Sequence, residues 1–177
     1  MSRTYFVKSS TLAVNLVINF AGKEGSMRIL ENIFKYIAIA LLVLIIITIV
    51  LQIVAREIVY FPVSWTQEVA TFSFLWMSLI GAALGVRNVS HVSIDIFVSK
   101  LPTKLNKIVA YLVEMSIIFL MIIFGKYSLE FSFQAQNQMS STLGISMKYI
   151  YMSFVVFSLL TIVFSLEKIF NIKRADK

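Results

Sequence analysis

Residues 65–102 read WTQEVATFSFLWMSLIGAALGVRNVSHVSIDIFVSKLP, and the rest of the chain can be placed around this segment. An aromatic residue and a carboxylate open it, an apolar run continues to Val86, and the run breaks at Arg87-Asn88. An apolar run of this length predicts a membrane-spanning helix. The remainder, which closes with a Leu-Pro pair, predicts a short element at the membrane surface followed by the start of another helix.

The composition of the whole chain is that of a polytopic membrane protein. Of its 177 residues, 59% are hydrophobic and 14% are charged, and the mean hydropathy is +0.87. A soluble domain has about 45–50% apolar and about 25% charged residues. Without cysteine and with one histidine, disulfides, thiolate metal sites and histidine-cluster metal sites are excluded, so no cofactor is expected. The net charge is +7, but the basic residues separate apolar runs and form no stripe, which argues against nucleic-acid binding.

Four apolar runs predict an all-α membrane protein with four transmembrane helices, since helices satisfy every backbone polar group internally. The predicted spans are residues 36–55, 69–86, 108–125 and 149–166. We expect residues 27–177 to form a single four-helix transmembrane domain.

Residues 1–26 allow three interpretations. They form an extension that lies on the surface or is mobile, they precede a working start at Met27, or they are a signal peptide. Their apolar stretch is too short to span a bilayer.

The segment between the second and third spans fits two periods. Its apolar residues alternate as in a strand, and they also form a helical stripe. An isolated strand against lipid would leave backbone groups unpaired, so we predict a short amphipathic helix lying in membrane lipid at the interface. His91 and Asp95 would share a face that Arg87 extends. This element would end at Leu101, and Pro102 suits the first turn of the next helix. Metal binding by His91 and Asp95 is improbable, because structural sites need about four ligands.

The distribution of lysine and arginine predicts the orientation. Thirteen of these residues lie before the first span, between the second and third spans, or after the fourth, whereas three lie in the other two connections. The positive-inside rule then puts both termini and the 87–107 connection on the cytoplasmic side. Residues 56–65 and 127–147 would face outward.

Glu114 is the clearest single signal, because it lies inside the third span, about 10 Å along the helix axis from Lys107. A carboxylate at that depth costs about 2.5 kcal/mol unless it is paired or faces water. It is either a proton or cation site, or the partner of a group on a neighbouring helix or another protein. Pairing is the favoured interpretation, because buried charges normally need partners.

Other candidate residues lie near the ends of the first two spans. The Glu68 carboxylate would be stabilised by the positive end of its helix dipole. Arg56 is a candidate ion-pair partner for Glu68. Trp65 belongs to an interfacial aromatic group. Gly81 and Gly85 give the second span a small-residue face suited to close helix packing.

These motifs, QIVAREI, SWTQE, GAALGVR, HVSID and LP in this order, resemble the small membrane subunit of tripartite ATP-independent periplasmic (TRAP) transporters, the DctQ-like family. The resemblance covers about residues 27–170. The chain departs from the family pattern at two positions. Gln67 stands where a second acidic residue is common, and Met147 stands where a proline is common. The matching positions are Arg56, Ser64, Trp65, Glu68, Gly81, Gly85, Arg87, His91, Asp95, Leu101 and Pro102.

The resemblance implies a division of labour within a bacterial inner membrane transporter. A soluble periplasmic protein would capture an organic anion, and a large membrane subunit would carry the sodium-coupled, elevator-type transport site. This chain would be a non-catalytic four-helix scaffold that anchors the large subunit, closer to sialic-acid than to dicarboxylate systems.

Two other functions compete with the scaffold. A self-sufficient multidrug-type transporter acting as a dimer would rely on an acid in its first span, and residues 36–55 contain none. A membrane-embedded enzyme is unlikely with one histidine and no cysteine.

Overall fold

A computed structural model describes residues 24–58, 60, 63–89 and 103–174 of the chain. Within these ranges the four predicted spans are confirmed, because four helices are long and apolar enough to cross a membrane. The helices are α1 (Glu24–Glu57), α2 (Ser64–Val89), α3 (Thr103–Gln134) and α4 (Met147–Arg174), and a 3-10 turn, Ala135–Asn137, follows α3.

The first helix begins earlier than the predicted span, at Glu24 instead of residue 36. Residues 24–35 carry charges that lower their hydropathy, but their apolar side chains still follow a helical period. Met27 is fully buried, and Leu30 and Phe34 pack against the hydrophobic core. An amphipathic first part of α1 therefore continues the helix beyond the apolar run.

The helices pack in the order α1, α2, α4, α3, so that α1 and α3 lie at the two flanks. The core forms where α2 and α4 face each other and α1 leans on them. Its buried members are Ile80, Ala83, Leu84, Leu160 and Phe164.

The flanking helix α1 buries one narrow face and exposes the rest. Its less exposed residues recur every three or four positions from Phe34 to Ala55, as expected for a helix packed along one seam. The intervening leucine, isoleucine and valine side chains are 40–57% exposed between Leu42 and Val54. Such a continuous apolar surface on a single long helix fits hydrocarbon as its surroundings.

The α3–α4 pair is packed closely at Gly125. A Cβ atom at this position would lie 2.6 Å from Ser158 Oγ and 3.3 Å from Ser158 Cβ, so a side chain here would force Ser158 to move. Edge-to-face contacts of Phe124 with Phe154 and Phe157, each with ring centroids 6.1 Å apart, continue the interface. Small residues that let helices approach closely are typical of packing inside membranes.

The predicted interfacial helix, with His91, Asp95, Leu101 and Pro102, falls on residues 90–102 and so lies outside the described residues. It stays a prediction. The separation of an N-terminal extension, residues 1–26, from the transmembrane domain also stays a prediction, since the described residues begin at Glu24.

Candidate functional site

Charged side chains from all four helices meet near the end of the bundle where α2 and α4 finish, which we call the charged end. The charged cluster consists of Glu31 from α1, Arg87 from α2, Glu114 from α3, and Glu167 and Lys168 from α4. The sequence places them far apart along the chain, and helix packing brings them together.

Arg87 is the central member of the charged cluster. Its Nη1 lies 2.5 Å from Glu31 Oε2 and donates at 3.1 Å to the backbone carbonyl of Met27, so it holds α1. Its Nη2 donates to Glu167 Oε1 at 2.9 Å, so it also holds α4. The guanidinium lies 5.6 Å from the ring centroid of Phe164. A planar fork with several donors suits this role better than an ammonium group does.

Lys168 forms the other half of the charged cluster. Its Nζ lies 3.7 Å from Glu114 Oε1 on α3 and donates a hydrogen bond to the carbonyl of Val86 on α2. The ammonium therefore connects α2, α3 and α4. Glu114 is only 5% exposed, and the cost of burying its carboxylate is offset by this cation.

The charged cluster joins all four helices through ion pairs and hydrogen bonds. Each of its three carboxylates accepts from, or lies beside, a cation of another helix. One oxygen of Glu114 and one of Glu167 are buried without a hydrogen-bond partner. In the described ranges no three His, Asp or Glu side chains are grouped so that they could hold a metal ion.

The opposite end of the bundle, the loop end, is organised by Glu68. Its Oε1 accepts the backbone N–H of Thr142 and its Oε2 accepts that of Leu143, both at 2.9 Å. The carboxylate thereby ties the start of α2 to the connection between α3 and α4. A carboxylate that accepts two backbone N–H groups makes stronger bonds than a neutral acceptor would.

The α3–α4 connection, residues 138–146, is compact in its own right. Met139 and Ser146 form an isolated antiparallel bridge, and Ser140 N–H donates to the Ile145 carbonyl at 2.9 Å. Gly144 has φ +64°, a left-handed conformation that favours glycine at this turn. Met139 and Ile145 are nevertheless 63% and 41% exposed. The loop thus presents apolar side chains on an ordered backbone.

The predicted ion pair between Arg56 and Glu68 is not formed, and each of these side chains has a different partner. Arg56 Nε binds Glu57 Oε1 at 2.9 Å in an exposed pair at the end of α1. Glu68 faces the α3–α4 connection instead, and the amides there satisfy both of its oxygens. Trp65, in the first turn of α2, is 43% exposed, in keeping with an interfacial aromatic residue.

Among the described residues, Gly81 and Gly85 have open space beside them. A Cβ atom added at either position would meet nothing within 4 Å. In the described part of the chain, this small-residue face of α2 leaves room for lipid or for another protein.

The sequence did not single out Glu31, Glu167, Lys168 or Gly125. Glu167 and Lys168 adjoin a basic tail and look like solvated end charges, and Gly125 is followed on α3 by serines and not by a second glycine. The sequence did contain one indication for Lys168. Thr161, Ser165 and Lys168 are spaced so that they lie on one face of α4, which marks a polar face of this helix.

Comparisons with known proteins agree with this architecture. The family model for tripartite ATP-independent periplasmic transporters, DctQ component, matches residues 45–175. The sialic acid TRAP transporter small permease protein SiaQ of Vibrio cholerae is 30% identical over 149 residues, which cover 83% of this chain and 85% of the relative.

Two further relatives match over shorter shares of their own length. The sialic acid TRAP transporter permease protein SiaT of Haemophilus influenzae is 23% identical over 134 residues, which are 76% of this chain but 22% of that protein. The C4-dicarboxylate TRAP transporter small permease protein DctQ of Vibrio cholerae is 37% identical over 46 residues, or 26% of this chain and 20% of the relative.

Proposed function

The chain belongs to the DctQ component family of tripartite ATP-independent periplasmic transporters, and from this premise we propose that it is the non-catalytic scaffold subunit of a sodium-coupled transporter for organic anions. It anchors the large, elevator-type membrane subunit in the bacterial inner membrane. The substrate class that the relatives' names support is sialic acid or a C4-dicarboxylate.

The observation that carries this proposal is the use of charge inside the bundle. Arg87 and Lys168, the cations of the charged cluster, bind carboxylates and carbonyls of neighbouring helices. A site for an organic anion would need cations that are free to receive a carboxylate. Arg87 and Lys168 instead hold α1, α2, α3 and α4 in fixed positions. A subunit that stays still while another subunit moves needs such fixed helices.

The open face of α2 supports a role in binding the large subunit. Around Gly81 and Gly85 there is room for a partner helix to approach the backbone closely. The Haemophilus influenzae permease also supports this pairing, because its stretch similar to this chain is part of a much longer permease protein.

The loop end supports contact with the periplasmic substrate-binding protein. The 138–146 connection is held by Glu68 and exposes Met139 and Ile145. A loop that is already ordered and exposes apolar side chains loses little conformational entropy when it binds a partner. In this proposal the loop end faces outward, and both termini are cytoplasmic, as the charge distribution predicts.

Co-purification with the large subunit tests the proposal. Gly81→Leu and Gly85→Leu put bulk on the open face of α2, and we expect less large subunit to be recovered with a tagged small subunit. Ala40→Leu is the matched control, because Ala40 is exposed on α1. Equal recovery for all three variants would contradict the assignment of this face.

A further inference from the structure

A groove runs between α3 and α4 near the loop end. It encloses about 450 Å³ and is open along one side. Its walls are mainly aromatic, and three polar side chains complete it. The lining residues are Phe124, Tyr127, Ser128, Glu130, Phe131, Gln134 and Phe154.

The groove changes from polar to apolar along its length. Near the first turn of α4, Phe131 contacts Tyr151 with ring centroids 4.7 Å apart, and Glu130 and Gln134 lie on the adjoining turns of α3. Deeper in the bundle, Phe124 contacts Phe154 at 6.1 Å. A ligand that fits this gradient has a polar end at the loop end and an apolar end pointing toward the middle of the membrane span.

One charged side chain, Glu130, lines the groove, and an opposite charge, Lys126, lies next to the lining residue Tyr127. Lys126 and Glu130 lie one helical turn apart, about 6 Å along the axis, and therefore share a side of α3. They form no ion pair with each other or with another described residue. Lys126 Nζ instead lies 5.9 Å from the Tyr127 ring centroid, and Glu130 is exposed. The cation is nearer the apolar end of the groove, and the carboxylate is nearer the loop.

We propose that this groove binds one zwitterionic phospholipid with a primary amine headgroup, of the phosphatidylethanolamine class. Lys126 binds the phosphate, Glu130 binds the ammonium, and one acyl chain lies against Phe124 and Phe154. In such a lipid the phosphate lies closer to the acyl chains than the ammonium does. The order of the two side chains along α3 matches that order.

The charges distinguish this occupant from anionic and from uncharged amphiphiles. An anionic headgroup without an amine would satisfy Lys126 and place its negative charge beside Glu130, and like charges at this distance repel. An uncharged alkyl chain would fill the aromatic part and leave both charged groups unused. The site lies in the leaflet beside the loop end whichever side of the membrane that end faces, so the proposal does not rest on the transport function.

Native mass spectrometry of the detergent-purified protein, alone and with its large subunit, tests the site. We expect added dioleoyl-phosphatidylethanolamine to be retained in preference to dioleoyl-phosphatidylglycerol. Glu130→Gln and Lys126→Gln should each reduce retention of the former about threefold, as for loss of one exposed charge interaction. Phe131→Ala should lower retention of both lipids.

Matched controls separate the site from the general lipid shell. Phe119→Ala removes another exposed phenylalanine of α3, and Glu57→Gln removes an exposed carboxylate at the end of α1. Neither should change retention. Equal retention of the two lipids, preferential retention of phosphatidylglycerol, or equal effects of the Glu130→Gln and Glu57→Gln variants would overturn the proposal.

Discussion

Arg87 on α2 donates a hydrogen bond of 2.9 Å to Glu167 on α4, eighty residues further along the chain. The same guanidinium binds Glu31 and the Met27 carbonyl on α1. Three helices that the sequence separates by loops are therefore joined through one side chain. In lipid, where apolar faces gain little from contact with one another, such polar connections contribute to the choice of helix neighbours.

Arg87→Met should destabilise the bundle, because Glu167 loses the cation that binds it and, among the described residues, Glu31 keeps only Lys35, whose Nζ lies 3.9 Å from Glu31 Oε1. Breaking one partner of a buried ion pair costs about 3 kcal/mol or more. Thermal unfolding in detergent measures the loss. Arg56→Met is the matched control, since its pair with Glu57 is exposed and such pairs contribute little. Equal unfolding temperatures for the two variants would contradict the importance given to the charged cluster.

Gly125→Ala should destabilise the α3–α4 interface by about 1–3 kcal/mol, the usual cost of overpacking a close contact. The new methyl group would lie 2.6 Å from Ser158 Oγ. Adding Ser158→Ala should recover part of the loss. Gly81→Ala is the control, because its Cβ atom meets nothing within 4 Å and alanine favours helix. Chemical or thermal unfolding of these three variants and the unchanged protein gives the comparison, and a neutral Gly125→Ala would show that the helices are not held this closely.

Glu68→Ala should loosen the connection between α3 and α4 without unfolding the helices. The N–H groups of Thr142 and Leu143 lose their carboxylate acceptor and exchange with water instead. Hydrogen–deuterium exchange of a peptide covering residues 138–146 should become faster, while exchange in α1 stays the same. Glu57→Ala serves as a control for loss of a carboxylate. Unchanged exchange in the loop after Glu68→Ala would show that the loop orders itself.

The orientation can be measured directly because the chain contains no cysteine. Asn137→Cys and Lys177→Cys each introduce one thiol, at the loop end and at the end of the chain. With a membrane-impermeant maleimide on intact spheroplasts, we expect labelling at 137 and protection at 177 until the membrane is opened. Labelling of both thiols from the same side would rule out this topology with four spans.

Much of the architecture can be predicted from the sequence, because a span is a local property. Four apolar runs predicted four spanning helices, and the described ranges contain four helices long and apolar enough to cross a membrane. The start of α1 was placed too late, since its first turns are amphipathic and only one side is apolar. Their burial depends on packing by α2, which a hydropathy profile does not contain.

The charged cluster could be predicted only in part, because its geometry depends on which helices are neighbours. Glu114 was found from its depth in an apolar run, but its partner Lys168 looks like part of a solvated tail. Arg87 was assigned to the element that follows it, whereas its guanidinium points back into the bundle. Glu68 was expected to interact with its own helix dipole, and its bonds to amides 74 and 75 residues away were not predicted.

We propose that this chain supports transport without binding or moving substrate itself. Reconstitution in liposomes with an inward sodium gradient and the periplasmic binding protein tests it most directly. Four preparations are compared: this chain alone, the large subunit alone, both subunits, and both subunits with Glu114→Gln in this chain. We expect substrate uptake from the complete pair, and Glu114→Gln should reduce the amount of assembled complex without altering the sodium dependence of what remains. Neither subunit should transport by itself, whereas uptake by liposomes that contain this chain alone would contradict the scaffold function.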